Sequence, residues 1–156
     1  MILPEEYILR WATADDAPII SAHRAAMFSD MGVEYREEVA QFTPWVEERL
    51  RSGSYLGLFI EQEGEVVAGA GLLLLDWPPH FMDLQPLRAY LLNVYTHPPH
   101  RGKGLARALT QAAIAETQRR NIRVLSLHAS EAGRPIYEKL GFVPTNEMRL
   151  TLEAGA

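Results

Sequence analysis

A strand that runs through a glycine-rich basic turn straight into a helix is the feature that most constrains how this chain folds. Residues 89–96 form an almost continuous apolar run, which is typical of a strand covered on both faces. The stretch HPPHRGKG follows, and residues 105–119 then show helical periodicity. A second apolar run covers residues 124–129. This order predicts a right-handed βαβ unit at the centre of the fold.

The rest of the chain predicts further helices and strands around this unit. A strand over residues 7–11 precedes a helix capped by Thr13 or Asp15, and a second helix covers about residues 37–51. The apolar runs 55–60 and 66–75 flank EQEGE and predict a hairpin with Gly64 in its turn. A short helix ended by Gly141 and an alternating strand over residues 148–152 come last. We therefore expect one mixed α/β domain over residues 1–156.

Composition excludes several classes of chemistry. The 156 residues include no cysteine, so disulfides, thiolate-bound zinc and a thiol nucleophile are excluded. The first ten residues lack a signal-peptide pattern, and the most apolar stretch is about half the length of a membrane span. The net charge of −5 disfavours a nonspecific nucleic-acid surface. We expect a cytoplasmic protein that binds neither nucleic acid nor membrane.

The glycine-rich turn is suited to binding a phosphate group. The first N–H groups of a helix have no partner within the helix, and the positive end of the helix dipole lies behind them. Gly102 and Gly104 allow close approach to the backbone, while Arg101 and Lys103 add positive charge. A bare Gly-Lys-Gly is also compatible with a solvated turn.

The turn matches neither of the common nucleotide-binding motifs. A P-loop needs a Lys-Ser or Lys-Thr pair, which is missing here. The dinucleotide fingerprint needs glycine or alanine where Arg107 stands. ATP and NAD are therefore disfavoured. His97 and His100 flank two prolines and have no evident third ligand, so we expect no metal site.

Two segments carry a resemblance to a known family. The stretch NVYTHPPHRGKGLARAL resembles the pyrophosphate-binding segment of the GNAT superfamily of N-acetyltransferases, whose R/Q-x-x-G-x-G/A pattern reads here Arg101, Gly104 and Ala106. The later stretch ASEAGRPIYEKLGF is similar to the Y-E-K-x-G-F helix of the same family. The resemblance implies a mixed, mostly antiparallel sheet flanked by about four helices, acetyl-CoA as cofactor, and acetyl transfer to an amine.

The resemblance also implies which residues contact the cofactor. Val94 and Thr96 would offer backbone N–H groups to the thioester carbonyl and the pantetheine chain, and the turn would hold the pyrophosphate. Ser130 stands where many members have an asparagine that binds the pantetheine arm, and it would equally suit a helix N-cap. The full implied set is Val94, Tyr95, Thr96, Arg101, Gly102, Lys103, Gly104, Leu105, Ala106, Ser130 and Tyr137.

Tyr137 is the residue that we expect to act as the general acid. The leaving group is a thiolate whose thiol has a pKa of about 8.5, whereas a phenol with a pKa of about 10 is neutral at pH 7 and can donate a proton. A core tyrosine whose hydroxyl is satisfied by backbone is the other interpretation, and the two roles are compatible.

The base and the acceptor are less well determined. Many relatives carry a glutamate on the strand that is here residues 89–96, and this strand has no acidic residue. Glu34, His128 and a water held by backbone carbonyls are the remaining candidates, although His128 also suits a packed strand and Glu34 a solvated loop. In the family, the regions matching residues 28–35 and 76–86 border the acetyl group. We expect them to form the acceptor pocket; the second segment contributes Trp77, Phe81 and Met82.

The resemblance leaves two classes of function open. The first is an enzyme that acetylates a small-molecule or peptide amine. The alternative is a non-catalytic module that senses acyl-CoA or a metabolite, which the missing strand carboxylate permits. Pairing of edge strands into dimers is common in this superfamily, so a monomer and a homodimer both stay open.

Overall fold

The predicted strand–helix–strand unit lies at one edge of a five-stranded sheet, and not at its centre, where the sequence had led us to expect it. The structure is a computed structural model that describes residues 3–34 and 36–155. The helices and strands in chain order are β1 (Tyr7–Trp11), α1 (Ala17–Asp30), α2 (Arg36–Ser52), β2 (Tyr55–Gln62), β3 (Glu65–Asp76), β4 (Leu87–Thr96), α3 (Leu105–Arg119), β5 (Leu125–Leu127) and α4 (Arg134–Lys139). The mixed α/β class is confirmed.

The strand order in the sheet follows the chain, β1-β2-β3-β4-β5. The first four strands pair antiparallel, and β5 pairs parallel to β4 after the α3 crossover, which confirms the βαβ unit. The predicted hairpin is β2–β3, and each of its strands is longer than expected. Glu63 and Gly64 form its turn with φ angles of 51° and 80°. Two consecutive positive φ angles match the twist of a two-residue hairpin.

The helices cover both faces of the sheet. On one face, α3 and α4 pack on a cluster that includes Leu105, Leu109 and Tyr137. On the other face, α1 and α2 pack on a cluster built around Val46, Tyr55 and Phe59. The near-continuous apolar sequence of β4 follows from its position between these two layers.

The expected final strand over residues 148–152 is wrong. This segment has no regular secondary structure, and Met148, Leu150 and Leu152 are 94%, 82% and 79% exposed. Alternating sequence shows which side chains share a face, but a strand also needs a neighbouring edge to bond to. No strand in the described part of the chain pairs with it. Likewise β5 covers only residues 125–127 of the expected 124–129.

One tyrosine passes over a neighbouring strand where that strand has no side chain. Tyr55 of β2 is buried at 1% exposure, and its ring lies over Gly71 of β3. A Cβ at Gly71 would stand 1.9 Å from the Tyr55 Oη and 2.3 Å from its Cζ. Only a glycine at this position leaves room for the phenol.

The variant Gly71→Ala tests this packing. We expect it to lower the free energy of unfolding by about 1–3 kcal/mol or more, because neither a buried phenol nor the strand backbone can move aside freely. Urea unfolding of Gly71→Ala in the wild-type and the Tyr55→Leu backgrounds measures the effect. The loss of unfolding free energy should be much smaller in the Tyr55→Leu background, which lacks the phenol. An equal loss in both backgrounds would contradict the interpretation.

Candidate active site

The site is organised by an irregularity in β4. Gly69 pairs with Tyr95 and Gly71 pairs with Leu92, so β4 has two residues where β3 has one. Asn93 is the first of these two, and its φ of 56° is left-handed. A β-bulge with a left-handed first residue has this arrangement, and asparagine is among the side chains that tolerate the conformation.

The bulge changes which N–H groups face the outer edge of β4. Ala89 donates its N–H to Val124 beside β5 before the bulge, and His97 donates its N–H to Val67 on the β3 side after it. N–H groups alternate between the two edges of a strand. Counting back from His97, the N–H groups of Thr96 and Val94 therefore face away from β3.

The edge that they face is open. Strands β4 and β5 pair only over three residues, and the last pair is Leu91 with Leu127. Beyond this pair, no further pairing joins the two strands in the described residues. Val94 packs against the same hydrophobic cluster as Leu105 and Tyr137, so three residues of the predicted set meet on this side of the sheet.

The glycine turn lies immediately beyond this open edge. Gly102 and Gly104 have φ angles of 77° and 80°, a left-handed conformation that glycine adopts without strain. Ala108 makes the first bond of the following helix, to the Gly104 carbonyl. Within residues 3–34 and 36–155, no hydrogen-bond acceptor faces the N–H groups of residues 102–107. The turn and the start of α3 therefore present a run of free donors.

The positive charge of the turn is partly neutralised. Arg101 forms an ion pair with Asp30 at the end of α1, with a distance of 2.8 Å, and its Nε donates to the Thr96 carbonyl. The Lys103 ammonium lies 6.0 Å from the centre of the Tyr7 ring. The structure thus places Arg101 on protein groups, and most of the donors available to an anion belong to the backbone.

Tyr137 and Ser130 lie close together at the start of α4. Tyr137 is buried at 9% exposure against Phe142, and burial raises the pKa of its phenol. Ser130 Oγ accepts a hydrogen bond from the Gly133 N–H. A Cβ at Gly133 would meet Ser130 Oγ at 3.2 Å and Tyr137 Cε2 at 3.0 Å. Ser130 therefore acts as a turn cap here, and its own O–H remains able to donate.

The candidate bases lie in different surroundings. His128 follows β5, packs edge-on against the Tyr90 ring, and accepts a hydrogen bond at Nε2 from Arg149 at 2.8 Å. Arg149 Nη2 also lies 3.3 Å from Nδ1, so the guanidinium contacts both ring nitrogens. Glu34 is exposed in the α1–α2 connection. Tyr35, part of the expected acceptor segment, lies outside the described residues.

The structure separates the two expected acceptor segments. Asp30 contacts the turn after β4, whereas Trp77 stacks on Arg88 near the start of β4, with 4.5 Å between the guanidinium and the ring centre. A strand of ten residues spans roughly 30 Å. Phe81 and Met82 are exposed, at 89% and 44%. These contacts do not bring the two segments to one pocket.

Sequence reasoning missed the polar groups beneath the bulge. His23 of α1 is buried beside Gly69 and Tyr95, and burial, with the nearby charge of His97, lowers its pKa to about 4. Asn93 is buried at 5% exposure and contacts Arg24 and Tyr55. The one sequence signal was an asparagine inside an apolar strand.

Neither a membrane-spanning helix nor a metal site emerges from the described residues. None of their helices is long and apolar enough to cross a bilayer. No three of their histidine, aspartate and glutamate side chains cluster in a way that could hold a metal ion.

Comparison with known proteins assigns the chain to a family. The acetyltransferase (GNAT) family model matches residues 19–142. A GCN5-related N-acetyltransferase from Ralstonia eutropha JMP134 is 38% identical, with a TM-score of 0.88 over 94% of this chain and 98% of that one. A predicted acetyltransferase from Clostridium acetobutylicum, solved with acetyl-CoA, is 28% identical, with a TM-score of 0.87 over 94% and 96% of the two chains.

A curated relative adds a named activity. The glucosamine 6-phosphate N-acetyltransferase of Trypanosoma brucei brucei is 31% identical over 106 residues, which are 67% of this chain and 70% of that protein. The family match covers both motif segments, and the first of these includes the open edge of β4. The chain belongs to the GNAT family of acetyltransferases.

Proposed function

We propose that this protein is an acetyl-CoA-dependent N-acetyltransferase, a single domain that transfers acetyl directly to a primary amine of a small molecule or peptide. The observation that carries the proposal is the continuity of two donor sets. The open edge of β4 presents the Val94 and Thr96 N–H groups, and the free N–H groups of residues 102–107 follow directly. A cytoplasmic location remains part of the proposal.

The residues present fit an elongated acyl carrier that ends in a pyrophosphate. Backbone N–H groups at a helix N-terminus bind phosphate oxygens, and the left-handed glycines keep side chains away from them. Because β4 and β5 share no pairing beyond Leu91 and Leu127, we place the thin chain of the carrier along the unpaired edge of β4. Bound acetyl-CoA would supply an activated acetyl group with a thiol as leaving group.

The Val94 N–H is the proposed electrophilic group of this chain. A fixed N–H aimed at an oxygen that gains negative charge contributes a few kcal/mol in a site that excludes water. Its neighbours on the cofactor side are apolar, since Val94 packs against the cluster that contains Leu105 and Tyr137. This environment strengthens the hydrogen bond that the N–H can offer.

Tyr137 is the proposed proton donor to the leaving sulfur. Burial raises the pKa of its phenol, so the hydroxyl keeps its proton at neutral pH. No hydrogen-bond partner holds that hydroxyl within the described residues. The attacking amine must in turn lose a proton, for which Glu34, His128 and a bound water remain the proposed acceptors.

A homodimer through the C-terminal segment is the proposed assembly. Met148, Leu150 and Leu152 alternate with polar residues and are exposed. If two copies of this segment pair antiparallel about Thr151, each Arg149 faces the partner's Glu153, and Leu150 faces Leu152. Opposite charges and large apolar residues directly across a strand pair are both favourable.

Ligand binding is the first test of the proposed function. Acetyl-CoA at a hundred times its Kd should stabilise the fold by about 2.7 kcal/mol, a rise in Tm of several degrees, whereas ATP and NAD should have little effect. Ala106→Glu should abolish the rise because it places a carboxylate among the proposed phosphate donors. The control is Ala115→Glu on the exposed face of the same helix. A wild-type Tm that does not respond to acetyl-CoA would refute the proposal.

The variant Tyr137→Phe tests the acid. We expect thiol release with a panel of primary amines to slow about 10²–10⁴-fold, while the acetyl-CoA Kd from calorimetry is preserved. Tyr90→Phe removes another hydroxyl without a hydrogen-bond partner and should keep the rate. Unchanged turnover in Tyr137→Phe would remove the residue from the chemistry.

Charge reversal tests the dimer. Sedimentation of the wild-type protein should show a dimer that Arg149→Glu weakens about tenfold and that the double variant Arg149→Glu, Glu153→Arg restores. The restoration separates this pairing register from a general effect of charge. A wild-type protein that stays monomeric at high concentration would contradict the assembly.

A further inference from the structure

A chain of polar contacts, partly exposed at Glu38 and Arg24 and buried at Asn93 and Tyr55, links four separate elements beneath the bulge. Glu38 of α2 pairs with Arg24 of α1. Arg24 Nη1 donates to Asn93 Oδ1 of β4 at 2.7 Å, and Asn93 Nδ2 donates to Tyr55 Oη of β2 at 3.0 Å. None of these four residues is among those proposed above to bind the cofactor or to transfer a proton.

Asn93 occupies the position that creates the bulge. It combines a left-handed φ of 56° with 5% exposure inside a strand. Glycine would satisfy this backbone conformation without any side chain. The asparagine therefore contributes more than the backbone conformation. Its side-chain amide adds hydrogen bonds to neighbouring elements.

Both polar atoms of the Asn93 side chain are held. The Arg24 guanidinium that binds Oδ1 stacks on the Phe28 and Phe42 rings, 4.8 Å from each ring centre. It also forms an ion pair with Glu38. The phenol that accepts from Nδ2 is fixed by its passage over Gly71. Rotation of the Asn93 side chain would leave buried donors and acceptors unpaired, which folded proteins avoid.

We infer that Asn93 is a positioning residue whose side chain, clamped between Arg24 and Tyr55, holds the bulge so that the Val94 N–H points at the thioester carbonyl oxygen. This inference rests on the proposed function. It adds that the direction of the N–H is set from the α1–α2 face, opposite the face on which Leu105 and Tyr137 lie. Asn93 itself need not touch the cofactor.

The variant Asn93→Gly isolates the clamp, since it permits the left-handed backbone and removes both side-chain bonds. Asn121→Gly is the matched control, because Asn121 has a φ of 59° in an exposed turn after α3. Asn93→Asp can accept from both Arg24 and the Tyr55 hydroxyl and should preserve the clamp. Circular dichroism verifies the fold of each variant.

The first readout uses the free protein. Tyr95 pairs with Gly69 after the bulge, and Tyr90 pairs with Leu73 before it. In Asn93→Gly, hydrogen exchange at the Tyr95 amide should rise about tenfold while the Tyr90 amide stays unchanged, because only the bulge has become mobile. Equal acceleration at both amides, or none, would overturn the inference.

The second readout uses acetyl-CoA labelled with carbon-13 at its carbonyl. On the wild-type protein, the infrared carbonyl band should move to lower frequency than in water, because a fixed N–H polarises the bond. Asn93→Gly should lose about half or more of that shift, Asn93→Asp should retain it, and Asn121→Gly should match wild type. A full shift in Asn93→Gly would overturn the inference.

The two readouts separate failure of the inference from failure of the proposed function. If the wild-type protein binds no acetyl-CoA, the proposed function fails, and the exchange measurement still decides whether the clamp holds the bulge. If Asn93→Gly does not fold, Tyr55→Phe removes one of the two side-chain bonds and keeps the ring. It should then produce a smaller change in the same direction in both readouts, and no change would overturn the inference.

Discussion

The alternation of N–H groups along a β-strand is the constraint on which the rest of this site depends. A regular strand directs every second N–H to the same edge, so its outward donors are fixed once one bond is known. The extra residue at Asn93 breaks this rule once. Val94 and Thr96 thereby expose their N–H groups on the edge where β4 no longer pairs with β5. One irregularity therefore creates the donors, and a short partner strand leaves them unpaired.

The turn after β4 shows how an acidic protein can build an anion site. The net charge is −5, and the Arg101 guanidinium is engaged by Asp30 and the Thr96 carbonyl. The donors that remain are mostly backbone N–H groups, whose positions are set by glycine conformations and by the first turn of α3. Backbone N–H groups carry only partial charges. Such a site therefore selects among anions by their shape and by the direction of their hydrogen bonds more than by their total charge.

Local signals in the sequence predicted the local structure well. The glycine turn, the β2–β3 hairpin and α3 each follow from conformations or periodicities within a few residues, and all three are confirmed. The expected strand over residues 148–152 failed because a strand also requires an edge supplied from elsewhere. Local signals could not predict the side-chain hydrogen bonds of Asn93 either, because its two partners are 69 and 38 residues away in the chain. The roles of Tyr137 and the other predicted site residues remain predictions.

The passage of Tyr55 over Gly71 has a consequence for how this sequence can evolve. A side chain gained at position 71 would collide with the phenol, so the aromatic ring at position 55 would have to be lost first. Without the phenol, the Asn93 amide would lack its acceptor, and glycine would serve the left-handed backbone equally well. Descendants of this chain should therefore keep or lose the three residues as a set. An alignment of its near relatives would show this as correlated substitution at three positions that lie on three adjacent strands.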